Sequence, residues 1–139
     1  MSWLPYAFVS AGAAALTAIL AKVGVEGVPS NLATAIRTVV ITAFAWATVT
    51  ATGEHHALMT TSRRSLWFLL LSGIATGVSW LAYFRALQLG PASRVSPIDK
   101  LSLPLTVVLA GMFLGESVGW RLALGVALMT IGAILTIGG

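Results

Sequence analysis

Apolar residues come in five long runs, and short segments of turn-forming residues divide them. The runs cover 3–23, 33–52, 66–87, 97–114 and 120–137. A helix needs about 20 predominantly apolar residues to cross the hydrocarbon core of a bilayer. The pattern therefore predicts an all-α integral membrane protein with five transmembrane helices. The intervening segments are GVEGVPSN, GEHHALMTTSRRS, QLGPASRVS and GESVG, whose Gly, Pro, Ser and Asn favour turns. Trp3, Tyr6, Trp67 and Trp120 mark run ends, where amphipathic rings settle at the membrane interface. No linker or low-complexity segment divides the chain, so residues 1–139 read as one membrane domain. The first run is too long for a signal peptide, and MSWLPY puts no Lys or Arg ahead of it. It is expected to be retained as a span.

The polar residues inside these runs are periodic. In lipid, hydroxyl and charged side chains turn toward protein or a watery cavity. On a helix, positions three, four and seven apart share a face. Tyr6, Ser10 and Thr17 share one on the first run, and Thr34, Thr38 and Thr42 on the second. The longest stripe is Ser72, Thr76, Ser79 and Tyr83 on the third; Asp99, Ser102 and Thr106 follow on the fourth. The fifth has only Thr130 and Thr136, which form no stripe. Spans one to four are thus expected to surround a polar path, and span five to face lipid or another subunit. Hydroxyls bonded to their own helix carbonyls, or an interhelical seam, would give the same pattern.

Small residues add packing expectations. Gly73 and Gly77 form a GxxxG, as do Gly111 and Gly115, and this spacing permits close helix contact. Gly125, Gly132 and Gly139 recur every seven residues on the fifth span, a face that could seat against its own copy.

Composition sharpens the class. The chain is 58% hydrophobic and 9% charged, with a mean hydropathy of +0.94. Soluble domains carry roughly 25% charged residues, so the bilayer is the solvent that fits. With no Cys there is no disulfide, thiol nucleophile or thiolate metal site. The excess of Lys and Arg reads as topology and headgroup contact rather than nucleic-acid binding. His55 and His56 are adjacent but lack a further ligand cluster, so no metal or cofactor site is read. An intramembrane enzyme finds no support, because the spans hold no H-E-x-x-H, paired acids or Ser/His pairing.

The charges that stand out are Arg37, Asp99 and Lys100. Residues 96–104 read SPIDKLSLP. Ser96 suits an N-cap, Pro97 the first helical position and Asp99 the third, a variant of the capping box. Pro104, inside the run, removes a backbone hydrogen bond and bends the helix; interrupted helices recur at transporter substrate sites. Arg37 lies inside the second span, where an arginine costs roughly 2.5–3.5 kcal/mol on insertion scales. It either snorkels or shares a pocket with Asp99 and Lys100. The latter two point about 100° apart on a helix and cannot both face one partner. Lys22 and Arg85 end their spans and are expected to snorkel.

Arg63, Arg64 and Arg121 fall on one side of the membrane; Lys22, Arg85, Arg94 and Lys100, with Arg37 if it snorkels, fall on the other. That bias is weak under the positive-inside rule, as for a chain inserting in both directions. Two copies in opposed orientation would form an inverted-repeat, ten-helix assembly of the kind alternating-access transporters use.

The stretch FRALQLGPASRVSPIDKLSLPLTVVLAGMFLGESVGWRLALGVALMTIGAIL resembles the repeat unit of EamA-type carriers in the drug/metabolite transporter superfamily. The similar elements are A-L-x-x-G at Ala86 to Gly90, V-x-P-I at Val95 to Ile98, and Pro104. L-G-E at Leu114 to Glu116, W-x-x-x-x-G at Trp120 to Gly125, and upstream AKVGV and TAIRTVV also match. The resemblance covers roughly residues 9 to 138. It implies an inner-membrane carrier of small metabolites or drugs, often working outward. Most relatives carry two inverted five-helix halves; this chain resembles the short, five-span branch, which would need to dimerise. Related small multidrug carriers use a Glu in their first span for proton exchange, and here that span has no acid.

The expected function is secondary transport by a homodimer in opposed orientation, with neutral, zwitterionic or anionic substrates favoured. Substrate-path candidates are Arg37, Ser72, Thr76, Ser79, Trp80, Tyr83, Asp99, Lys100, Ser102, Pro104 and Thr106. The alternative is a non-transporting subunit that assembles with a homologous chain.

Overall fold

Helix follows helix throughout the computed structural model, which describes residues 2–137, and no strand is present among them. α1 runs over Leu4–Gly24, α2 over Ser30–Ala51 and α3 over Arg63–Leu89. α4 covers Ala92–Asp99, α5 Ser102–Leu109 and α6 Trp120–Leu135. A 3₁₀ segment, Glu54–Thr60, joins α2 to α3, and a π-turn, Ala110–Leu114, ends α5. α1, α2, α3 and, taken together, the stretch Ala92–Leu114 are each long and apolar enough to span a bilayer. α6 is shorter at 16 residues, about 24 Å at 1.5 Å per residue. Thr136 and Ile137, expected in this span, instead form a tightened end through bonds back three residues, to Ala133 and Ile134. Nearly all large apolar side chains on the spans are exposed, as lipid-facing surfaces are.

Residues Leu20–Leu89 make one compact unit. The Ser62 hydroxyl accepts the Ser65 backbone N–H at 3.1 Å and so caps the start of α3. α3 has 27 residues, about 40 Å, more than the roughly 30 Å hydrocarbon core requires. The buried positions gather where α1 ends, α2 begins and α3 ends: Ala21, Val25, Ser30, Thr34, Phe84 and Leu87. Two side chains tie that end. Lys22 Nζ donates to the Leu87 carbonyl at 2.7 Å. Gln88 Nε2 donates to the Val28 carbonyl at 2.6 Å while its Oε1 accepts from Arg85. Lys22, expected to snorkel, thus also has a protein partner at this helix end. The last carbonyls of a helix lack intrahelical partners, and Leu87 offers one within reach.

The second unit comprises the residues up to Ile19 with those from Gly90 onward. Here the expected start of the fourth span is overturned. Pro91, not Ser96, precedes the helix, and Pro97 lies inside it. Gly90–Pro91 separates α3 from α4, and Ala92 begins a polar half-helix that an apolar-run reading starts too late. The interruption falls at Lys100 and Leu101, just ahead of Pro104. Pro104 has no N–H for the carbonyl four residues back, and its ring crowds that carbonyl. Lys100 O is instead taken by Leu103 N–H at 2.9 Å, a tighter turn.

The packing role of Gly111 and Gly115 is also corrected. Gly115 has φ +67°, the left-handed conformation that stops a helix. Gly111 faces Glu116 and Val118 of its own loop.

Candidate functional site

α2 and α3 form a hairpin about the Glu54–Thr60 segment, and their facing surfaces leave an open groove of about 510 Å³. Pockets of roughly 300–1,000 Å³ hold small molecules. α2 contributes Asn31, Thr34, Ala35 and Thr38; α3 contributes Ser72, Thr76 and Trp80, with Leu69 and Leu81 at the margins. Gly73 and Gly77 lie on the same face, and a Cβ added at either meets no heavy atom within 4 Å. Among the described residues, no helix makes the close approach this GxxxG permits. The missing side chains instead hold the groove open.

The hydroxyl stripes have a local explanation. Thr34, Thr38 and Thr76 donate to the carbonyls of Ser30, Thr34 and Ser72 at 2.8–2.9 Å, each four residues back. With the hydroxyls so engaged, the exposed lining is mostly apolar. Thr106 does the same toward Ser102 in α5.

Arg37 is half-buried. Its guanidinium lies 4.6 Å from the Trp80 ring centre and 5.3 Å from that of Phe84. A cation–π contact contributes about 0.5–2 kcal/mol according to its exposure, which offsets part of the roughly 2.5–3.5 kcal/mol of placing an arginine in a span. Trp80 both walls the groove and carries this cation. Phe84, which the stripes do not single out, completes the stack, with Tyr83 edge-on to it at 6.3 Å.

Of the other predicted residues, Ser79 is exposed and about 100° round α3 from Trp80, outside the groove lining. Asp99 and Lys100 bind each other at 3.1 Å, with side chains 35% and 50% exposed. Neighbours in a helix diverge, but Lys100 occupies the turn after α4 and can reach back. An exposed pair of this kind contributes about 0–1 kcal/mol. Ser102 and Pro104 begin α5 below that turn. Gly125 and Gly132 lie on an open face of α6, with no heavy atom near an added Cβ; Gly139 lies outside the described residues. A second groove of about 500 Å³ lies at the far end of α2, between Trp46, Glu54 and Leu58.

One signal in the sequence could have joined Arg37 to Trp80. Folding the chain back at the Glu54–Thr60 segment makes the two nearly equidistant from it.

Helices long and apolar enough to cross a bilayer define an all-α integral membrane protein. A family model of EamA-like transporters matches residues 1–138, and the chain belongs to that family. It is a transporter of the drug/metabolite transporter superfamily. An "uncharacterized transporter in cobO 3'region" from Sinorhizobium sp. is 51% identical over 134 residues, 96% of this chain and 95% of the relative. The relative is thus of similar length. An uncharacterized protein of Methanocaldococcus jannaschii is 28% identical over 82 residues, covering 59% of this chain and 60% of that one. No solved structure matches.

Proposed function

We propose that this protein is a secondary transporter, working outward, that moves small metabolites or drug-like molecules across a prokaryotic inner membrane. It acts as a homodimer of five-helix units in opposed orientation and alternates access to a shared path. The α2–α3 groove is the observation that carries this reading. Its volume suits a small molecule, and its glycines leave room where side chains would close it. Pro97, Pro104 and the turn at Lys100 supply a discontinuous span of the sort that rocking carriers use. The near-even spread of Lys and Arg supports opposed insertion.

Reconstitution in liposomes with a panel of metabolites, with and without a pH gradient, tests the proposal. Gly77→Leu serves as the blocked control. Flux in the native protein, lost in the blocked one, is the expected result. Absence of flux under every condition would favour a subunit that completes a ten-helix unit with a homologous partner, the reading that the related bacterial transporter of similar length leaves standing beside it.

A further inference from the structure

The guanidinium of Arg37 lies against two rings, which engage its π faces. Its N–H donors lie in the guanidinium plane and point outward from such a stack. Among the described residues Arg37 has neither a carboxylate partner nor a side-chain hydrogen bond. Arginine stays charged, so this cation is permanent. An aromatic stack fixes its plane and leaves a fork whose geometry matches the two oxygens of a carboxylate or phosphate. The ring that fixes it, Trp80, is also a wall of the mostly apolar groove, so the cation stands one ring from the lining without being part of it.

We propose that Arg37 is an oxyanion-binding residue, and that the α2–α3 groove takes amphipathic anions: an apolar body along Trp80 and the Gly73–Gly77 floor, with a carboxylate or phosphate group on the guanidinium edge. This assignment rests on the groove being the transport site and narrows its substrate class. The same oxyanion could come from a transported solute or from the headgroup of an anionic lipid whose chain lies in the groove. Cationic ligands are disfavoured, since each would bring a second positive charge beside Arg37 without the carboxylate needed to balance it.

The test uses three probes of one shape and different charge: phenylacetate, phenylacetamide and phenethylammonium. Binding to the purified full chain in lipid-free detergent is measured by calorimetry. The native protein is expected to bind phenylacetate about tenfold or more tighter than the amide, as one charge-assisted pair supplies, with the ammonium weakest. Arg37→Gln removes that ranking. Arg37→Lys keeps the order but loses several-fold in phenylacetate affinity, because a point charge replaces the fork. It serves as the second variant should Arg37→Gln not fold. Equal binding of the three probes to the native protein, a ranking unchanged in Arg37→Gln, or an undiminished phenylacetate affinity in Arg37→Lys overturns the assignment.

Adding phosphatidylglycerol separates the two sources. A lipid-headgroup site loses its phenylacetate preference when the lipid is present, whereas a solute site retains it; either result places an oxyanion on Arg37. Gly77→Leu is expected to weaken all three probes. If it does so while Arg37→Gln leaves the ranking intact, the groove stands and the oxyanion assignment falls. If Gly77→Leu changes nothing, the groove itself is wrong.

Discussion

Replacing Lys22 with methionine preserves the apolar stem and removes the ammonium that holds the end of α3. In the structure Nζ is 2.7 Å from the Leu87 carbonyl, and Leu87 is fully buried at 0% exposure. A hydrogen bond to a charged group contributes about 1.5–3 kcal/mol in soluble proteins. A cation beside the last helical turn gains a further 0.3–1 kcal/mol or so from the helix dipole. Two effects pull the figure down. Lys22 is only half-buried, so solvent screens it. Polar contacts in membrane proteins also average about 0.6 kcal/mol and reach about 1.7, because the unfolded chain in lipid finds partners too. The expected loss for Lys22→Met is therefore about 1–1.5 kcal/mol, read from reversible unfolding in mixed detergent micelles. Arg63→Met is the matched control. That cation is exposed at the start of α3, where the dipole disfavours it, so its removal should cost nothing measurable. A loss at Lys22 no larger than at Arg63 would refute the reasoning.

Gly115→Ala should destabilise by about 1–2 kcal/mol in the same assay, because φ is +67° there and a Cβ crowds the carbonyl; a neutral result would count against the left-handed stop. Pro104→Ala restores an N–H opposite the Lys100 carbonyl and should merge α4 with α5. Slower amide hydrogen exchange over residues 100–104 and several-fold slower flux are expected, and unchanged exchange would place the cause of the interruption elsewhere. Because the chain has no Cys, His55→Cys and Arg94→Cys each give a clean accessibility probe. Opposed insertion predicts that an impermeant maleimide labels about half of each in intact cells; all-or-none labelling of opposite sense would rule it out.

The spans were legible because length and apolarity decide them. Twenty apolar residues have few other places to go, and α1, α2 and α3 match their predicted runs within a turn at each end. What misled lay in residues with two physical uses. Pro91 and Pro97 both satisfy the rule for a first-turn proline, and choosing Pro97 followed from the polar Ser93, Arg94 and Ser96 ahead of it. GxxxG marks a face without bulk, and spacing alone does not say whether a neighbour approaches. At Gly73 and Gly77 it leaves a groove; at Gly115 the glycine serves its own backbone instead. Threonine stripes are likewise ambiguous, since a hydroxyl bonded four residues back turns its methyl outward.

The charges show most clearly what pairing adds. Lys22 and Arg37 are both span residues with an open choice between the interface and the interior. Each chose a neighbour on α3, and the two neighbours differ in kind. Lysine, a compact and strongly hydrated charge, took a bare carbonyl, the partner that best replaces water. Arginine, planar and more weakly hydrated, took the faces of Trp80 and Phe84, which leave its donors unused. A carbonyl takes a donor of the first cation and so ties down an end of the hairpin. Rings hold the second in place without engaging its donors, and one of them, Trp80, also lines a groove. On the proposed reading, that difference separates a structural cation from a ligand-binding one. It also explains why Lys22→Met is expected to register chiefly as lost stability and Arg37→Gln as altered charge preference.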